Sequence, residues 1–139
     1  MFIEDHSMPI FTVTMKSNWS APEKDRLSAA IHAATIAMGY PEGDFFQRFI
    51  ALRPDDFRVS PQYPGLPKPR TEQTLLIEVL LSAGTETSRK KKLALHLVKN
   101  LAEEGVDAND IMVFFVETDR SSGSFGGGVF APPVVFDSQ

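Results

Sequence analysis

The chain predicts an α+β fold: two tandem β-α-β units that share one four-stranded mixed sheet, with two helices on one face. Three observations lead there. Two segments carry apolar residues at helical spacing, and each is flanked by strand-like runs. The strands that open the two halves, at Ile10 and Thr74, begin about 65 residues apart. The strands of the second half are apolar on both faces, as strands inside a covered sheet are. Right-handed crossovers make each half a parallel unit and put both helices on the same side. A chain of 139 residues is long enough to bury one core. The reading is therefore a single domain over residues 9–139, with halves of about 9–72 and 73–133. Residues 1–8 read as a leader or an appended extension.

Residues 10–15 (Ile-Phe-Thr-Val-Thr-Met) alternate bulky apolar residues with threonine and predict a strand. Ser20 and Glu23 have the spacing of a capping box, and Pro22 sits in the first turn, where its lacking N–H costs little. Leu27, Ile31, Ala34 and Met38 then form one helical stripe, with Thr35 beside it, and Gly39 stops the helix. A second strand is predicted over 45–51. The segment Pro54 to Pro69 contains five prolines and reads as a long loop with one short extended piece near Phe57 to Val59. Thr74 to Ser82 is nearly continuous apolar and predicts a buried strand. A helix follows from about Glu86 to Glu104, with Ala94, Leu97, Val98 and Leu101 as its stripe and Gly105 as its end. Asp110 to Thr118 predicts the last strand, before a glycine-rich turn at 123–128 and a short Val129-Phe130.

Composition excludes several classes of function. The net charge of −4 argues against nucleic acid or an anionic membrane as the main partner, because both select basic surfaces. There is no cysteine, so thiol nucleophiles, disulfides and cysteine metal sites are out. No apolar run approaches the ~20 residues of a membrane span, and the first seven residues lack the pattern of a signal peptide. A cytoplasmic location is the default expectation, and no cofactor motif is present.

The individual motifs are modest. His6, His32 and His96 lie far apart, and His32 reads as a packed or surface residue. Gly123 to Gly128 reads as a hairpin turn needing positive φ and not as a phosphate loop. Arg89 to Lys92 opens the second helix and reads mostly as a solvated charge run. Lys90 precedes Leu97 and Leu101 by helical spacings, so its stem follows the apolar face. Glu78 is a lone charge in an apolar strand; a buried carboxylate needs a partner, which a cation across an oligomer would supply. Both faces of the last strand are hydrophobic, and two helices cover only one face of a sheet. A second copy of the chain is the simplest cover for the other.

Met8-Pro9-Ile10 opens the first strand, Pro41-Glu42-Gly43-Asp44 precedes the second, Pro69-Arg70-Thr71-Glu72 precedes the third, and Ser124-Phe125-Gly126 follows the fourth. In this order and spacing the chain resembles the tautomerase superfamily from Met8 to about Pro133, most of all its long-chain, malonate semialdehyde decarboxylase-like branch. The resemblance implies a homotrimer acting on a small carbonyl acid through an N-terminal proline, with no cofactor. Pro9 would be the acid or base, Asp44 the residue that orients water or the proline, and Phe125 an apolar wall. Where the decarboxylase carries arginines after the third strand, this chain has Ser82 and Gly84, then Thr85. Arg48, on the face of Phe46, and Arg70 are the candidate substrate-binding substitutes.

The chemistry depends on the nitrogen of Pro9. A free α-amine titrates near ~7.7–8 in a peptide, and burial or a nearby cation lowers that value. Neutral, it takes an α-proton from a keto acid; protonated, it polarises a carbonyl or a water. As an internal amide it has no basicity. Two readings follow: a tautomerase-type enzyme that tautomerises, decarboxylates or hydrates a keto or enol acid, or a non-catalytic oligomeric binding or structural module of the same fold with Pro9 blocked by the leader.

Overall fold

The structure, a computed structural model, describes residues 9–130. Its elements are β1 (Ile10–Lys16), α1 (Ala21–Ala37), β2 (Gln47–Leu52), β3 (Leu75–Ser82), α2 (Thr87–Glu103) and β4 (Ile111–Thr118). They form one sheet in the order β2-β1-β3-β4. Within each half the strands run parallel, β1 with β2 and β3 with β4. The halves meet antiparallel at the centre, where Ile10 pairs with Leu80 and Thr14 with Leu76. This is the expected mixed sheet of two β-α-β units. The leader, His6 and Ala131 onward, including the Pro133 end of the second half, lie outside the described residues.

The core is the layer between sheet and helices. Phe11, Val13 and Met15 of β1 and Leu75, Ile77, Val79 and Leu81 of β3 point into it. They meet Leu27, Ile31 and Ala34 of α1 and Leu93, Leu97 and Leu101 of α2. The period of two sends alternate strand residues to this face. The capping box forms as expected: Ser20 Oγ accepts from the Glu23 amide and Glu23 Oε1 accepts from the Ser20 amide. Two helix positions differ from the sequence reading. Thr35 is buried, not merely beside the stripe, because its hydroxyl donates to the His32 carbonyl at 2.7 Å and so loses no hydrogen bond. The stripe of α2 runs through Leu93, Leu97 and Leu101, with Ala94 and Val98 half-buried at its edge.

The charge run of α2 is partly engaged. Arg89 donates to the Met38 carbonyl at 3.0 Å, at the C-terminus of α1, and lies 4.7 Å over the Tyr40 ring. A cation there complements the exposed carbonyls of a helix end. Lys90 pairs with Glu117 of β4, while Lys91 and Lys92 are exposed as expected.

The long segment between β2 and β3 holds a short 3₁₀ turn (Pro54–Asp56) but no paired strand near Phe57 to Val59. Its return is tied to the start of β4 by Asp110, which accepts from the Thr71 amide at 2.7 Å, the Thr71 hydroxyl at 2.6 Å and the Thr74 hydroxyl at 2.9 Å. Asp110 is 2% exposed. A buried carboxylate with three donors is satisfied; without it Thr74 keeps the Thr71 carbonyl, 2.8 Å away, and the two donors of exposed Thr71 turn to water.

The far face of the sheet carries no helix. Phe114 is 61% exposed and Val116 49% exposed there. Glu78 falls on this face and is exposed in the single chain, because the core takes Ile77 and Val79 and Glu78 between them points the other way.

Replacing Asp110 by alanine should cost about 2 kcal/mol, for the lost charge-assisted bonds to Thr71. Urea unfolding would show a lower midpoint at an unchanged slope. An unchanged midpoint would mean that the loop is held elsewhere.

Candidate functional site

One end of the sheet collects four chain segments. β1 and its parallel neighbour β2 begin there, and β3 and β4 end there. Pro9, immediately before β1, is buried at this end. The residue that follows it, Ile10, lines a cavity of about 140 Å³. The cross-strand pair Ile10 and Leu80 contributes to its lining, and the segment from Thr118 to Phe125 contributes the rest. That segment begins with a 3₁₀ turn at Arg120–Ser122.

The glycine-rich turn fixes the wall. Ser124 Oγ accepts from the Gly126 amide at 3.1 Å and donates to the Gly126 carbonyl at 3.0 Å. Gly127 and Gly128 have φ of 67° and 73°, a region that favours glycine. Ser124 then bridges antiparallel to Phe130. The expected hairpin is therefore present, and it holds the Phe125 ring 5.1 Å from the Phe46 ring at a tilt of 39°. Phe46 is itself anchored, since its carbonyl accepts from the Phe11 amide at 3.0 Å.

Asp44 sits half-buried in the turn before β2, its amide donating to the Pro41 carbonyl at 3.0 Å. It has an interaction partner in the chain. Continuing the parallel register back from Phe11 and Gln47 brings the Asp44-Phe45 turn alongside Pro9. Phe45 packs edge-on against His32, with ring centroids 4.9 Å apart, so His32 is a packed residue as expected. Arg48 lies on the open face two residues in from Phe46. It donates to Thr12 Oγ1 at 3.0 Å, and the register continues this row through Glu78 to Phe114.

Arg70 is at the opposite end of the sheet. It donates to the Ser60 carbonyl at 2.6 Å and lines a recess of about 400 Å³ with Lys16, Arg58 and Glu72. The seven residues of β1 put about 20 Å between that recess and Pro9, at ~3.3 Å per residue. Within one chain the fold thus brings together Pro9, Asp44 and Phe125, with Arg48 on the adjoining face, and sets Arg70 apart.

The sequence reading missed two contributors. Phe46 reads from sequence only as a strand residue, and nothing in the sequence analysis singles out Arg120. The available signal was its place two residues past the end of an apolar strand, where loops of α+β folds gather their functional groups. Among the described residues no group of three or more histidines, aspartates or glutamates could hold a metal, and no helix is long and apolar enough to cross a membrane.

The end of β4 is braced electrostatically. Glu117 accepts from Lys90 and from the Gly84 amide, joining β4 to the turn before α2. These bonds, the Lys90 ammonium first, hold its carboxyl below the ordinary value of 4.5.

Residues 44–126 match a family described as tautomerase enzyme. The chain matches no curated protein. Among solved structures it is similar to FG41 malonate semialdehyde decarboxylase inhibited by 3-bromopropiolate, with 25% identity and a TM-score of 0.80 over 87% of this chain and 92% of that one. A second malonate semialdehyde decarboxylase, described with decarboxylase and hydratase activities, gives 24% identity and a TM-score of 0.79 over 87% and 93%. A fused 4-OT wild-type symmetric trimer gives 19% identity and a TM-score of 0.70 over 88% and 95%. The last two likenesses show the fold.

Because the Glu117 carboxyl is lowered in the folded state, its contribution is complete above pH 4.5 and fades as pH falls through the folded value. Glu117→Gln should therefore be less stable than the parent at pH 7, and urea midpoints of the two should converge as pH falls below 4.5. A gap that stayed constant across that range would remove charge as its cause.

Proposed function

The chain belongs to the tautomerase enzyme family, and from that premise we propose that it is an enzyme moving protons on a small keto or enol acid through the amine of Pro9, once Pro9 is the chain's N-terminus. The observation that carries the reading is the position of buried Pro9 directly before Ile10, which lines a cavity walled by Phe125 at the strand-end of the sheet. A secondary amine in an apolar surround favours its neutral form. In that form it removes the α-proton of a keto acid and returns a proton to the enolate, so no net proton is consumed. Protonated, it polarises a carbonyl for decarboxylation or a water for hydration. Asp44 orients the ammonium or the water. Phe125 and Phe46 keep bulk solvent from the reacting carbon. Arg48 supports the substrate from the open face, and Arg70 reaches a Pro9 site only if a neighbouring chain supplies it.

The proposal includes a homotrimer. The open sheet face is apolar around the row of Arg48, Thr12 and Glu78, and the fused 4-OT relative is described as a trimer. The other reading, a non-catalytic module, is favoured by Ser82, Gly84 and Thr85 standing where the decarboxylase branch has substrate-binding arginines. A cytoplasmic location remains part of the proposal, on composition alone.

A preparation starting at Pro9 should ketonise phenylpyruvate-type enols. The same chain retaining Met8 should be slower by at least about a hundredfold, the usual contribution of a positioned acid or base. Equal rates would eliminate the amine as catalyst, and activity in neither would favour the module.

Light scattering should return three times the chain mass. Phe114→Lys should return the mass of one chain, since a charge on that face opposes its burial. A trimer unaffected by the substitution would place the interface elsewhere.

A further inference from the structure

The cavity that Ile10 lines has one cation among its described lining residues, and it is Arg120. We infer that Arg120 is the carboxylate-binding residue of this site and that the site selects monocarboxylate carbonyl acids. For turnover this rests on the Pro9 reading; for binding it does not.

Three observations carry it. First, Arg120 is placed by rigid structure. It opens a 3₁₀ turn directly after β4, and the Ser122 amide donates to the Asp119 carbonyl at 2.9 Å to close that turn. Its Nε is buried. Arg120 already has an interaction partner in the chain, but a guanidinium carries five N–H donors in a planar fork, so it can serve a carboxylate as well.

Second, part of the lining is apolar. Ile10, Leu80 and Phe125 line the cavity with Arg120. A ligand with one anionic end and one apolar or carbonyl end is matched by such a polarity, and the low local dielectric strengthens the ion pair. The anionic end at Arg120 leaves the carbonyl carbons toward Ile10, the neighbour of Pro9.

Third, the next lining residue is Asp119. A second carboxylate on the ligand would meet like charge there, and no second cation stands among the cavity's described lining residues. The volume of about 140 Å³ points the same way, since it is well below the ~300–1,000 Å³ of pockets for drug-sized ligands. The preferred ligand is a small acid with one carboxylate next to its carbonyl.

Binding is tested without catalysis on the chain that retains Met8, by titrating pyruvate, its neutral amide pyruvamide, and oxaloacetate while following backbone NMR shifts of residues 118–125. Pyruvate should bind, with pyruvamide and oxaloacetate at least about tenfold weaker. Arg120→Gln should weaken pyruvate about 10- to 100-fold, the range expected for a charge-assisted pair. Arg120→Lys should recover part of that loss, and matched urea midpoints show that the variants fold. Equal affinity for pyruvate and pyruvamide, no effect of Arg120→Gln, or preference for oxaloacetate would each overturn the inference. On the chain starting at Pro9, the same Arg120→Gln should raise KM more than it lowers kcat. If turnover is absent there while the titration behaves as expected, the Pro9 reading has failed and the carboxylate site stands.

Discussion

The antiparallel pairing of β1 with β3 is the constraint on which the remaining structure depends. Each β-α-β unit is locally parallel and could form by itself, but one unit offers only two strands and a helix to cover them. Pairing Val13 with Ile77 across the centre joins two thin sheets into one and lets α1 and α2 share a single core. The same register sets Ile10 opposite Leu80. It therefore decides that the residue after Pro9 meets the end of β3, and through β4 the loop that bears Arg120 and Phe125.

A sheet with helices on one side has an unsolved face, and this chain shows how it is handled. The core side takes the aliphatic residues in strict alternation. The far side mixes apolar residues with a polar row of Arg48, Thr12 and Glu78. Such a row costs little while wet. Buried against another copy it would demand partners and so fix how the copies meet.

The interplay of loop and strand is also economical in kind. Asp110 holds the long loop before β3, Glu117 holds the turn before α2, and Ser124 holds the turn after β4. All three lie at or beyond the ends of one strand. The site is thus built on irregular segments whose backbone is nevertheless positioned by regular structure.

The sequence by itself determined the elements, their order, the two-unit architecture and the residues at which the proline chemistry is proposed. Period-two and period-3.6 patterns are local, so Ile10 to Met15, the Ser20 cap and the strand at 74–82 were legible without the fold. What it did not determine was anything that depends on which residues from distant segments meet. Which face Glu78 takes follows only from the register, which sends Ile77 and Val79 to the core. Thr35 read as marginal until its hydroxyl was seen to be satisfied within its own helix. The sequence singles out Arg70 and not Arg120. Only the tertiary structure put one at the far end of β1 and the other on the cavity that Ile10 lines. The reason is physical: a side chain's chemistry is set by its own atoms, but its role is set by neighbours fifty or a hundred positions away, and those are chosen by how the two halves pair.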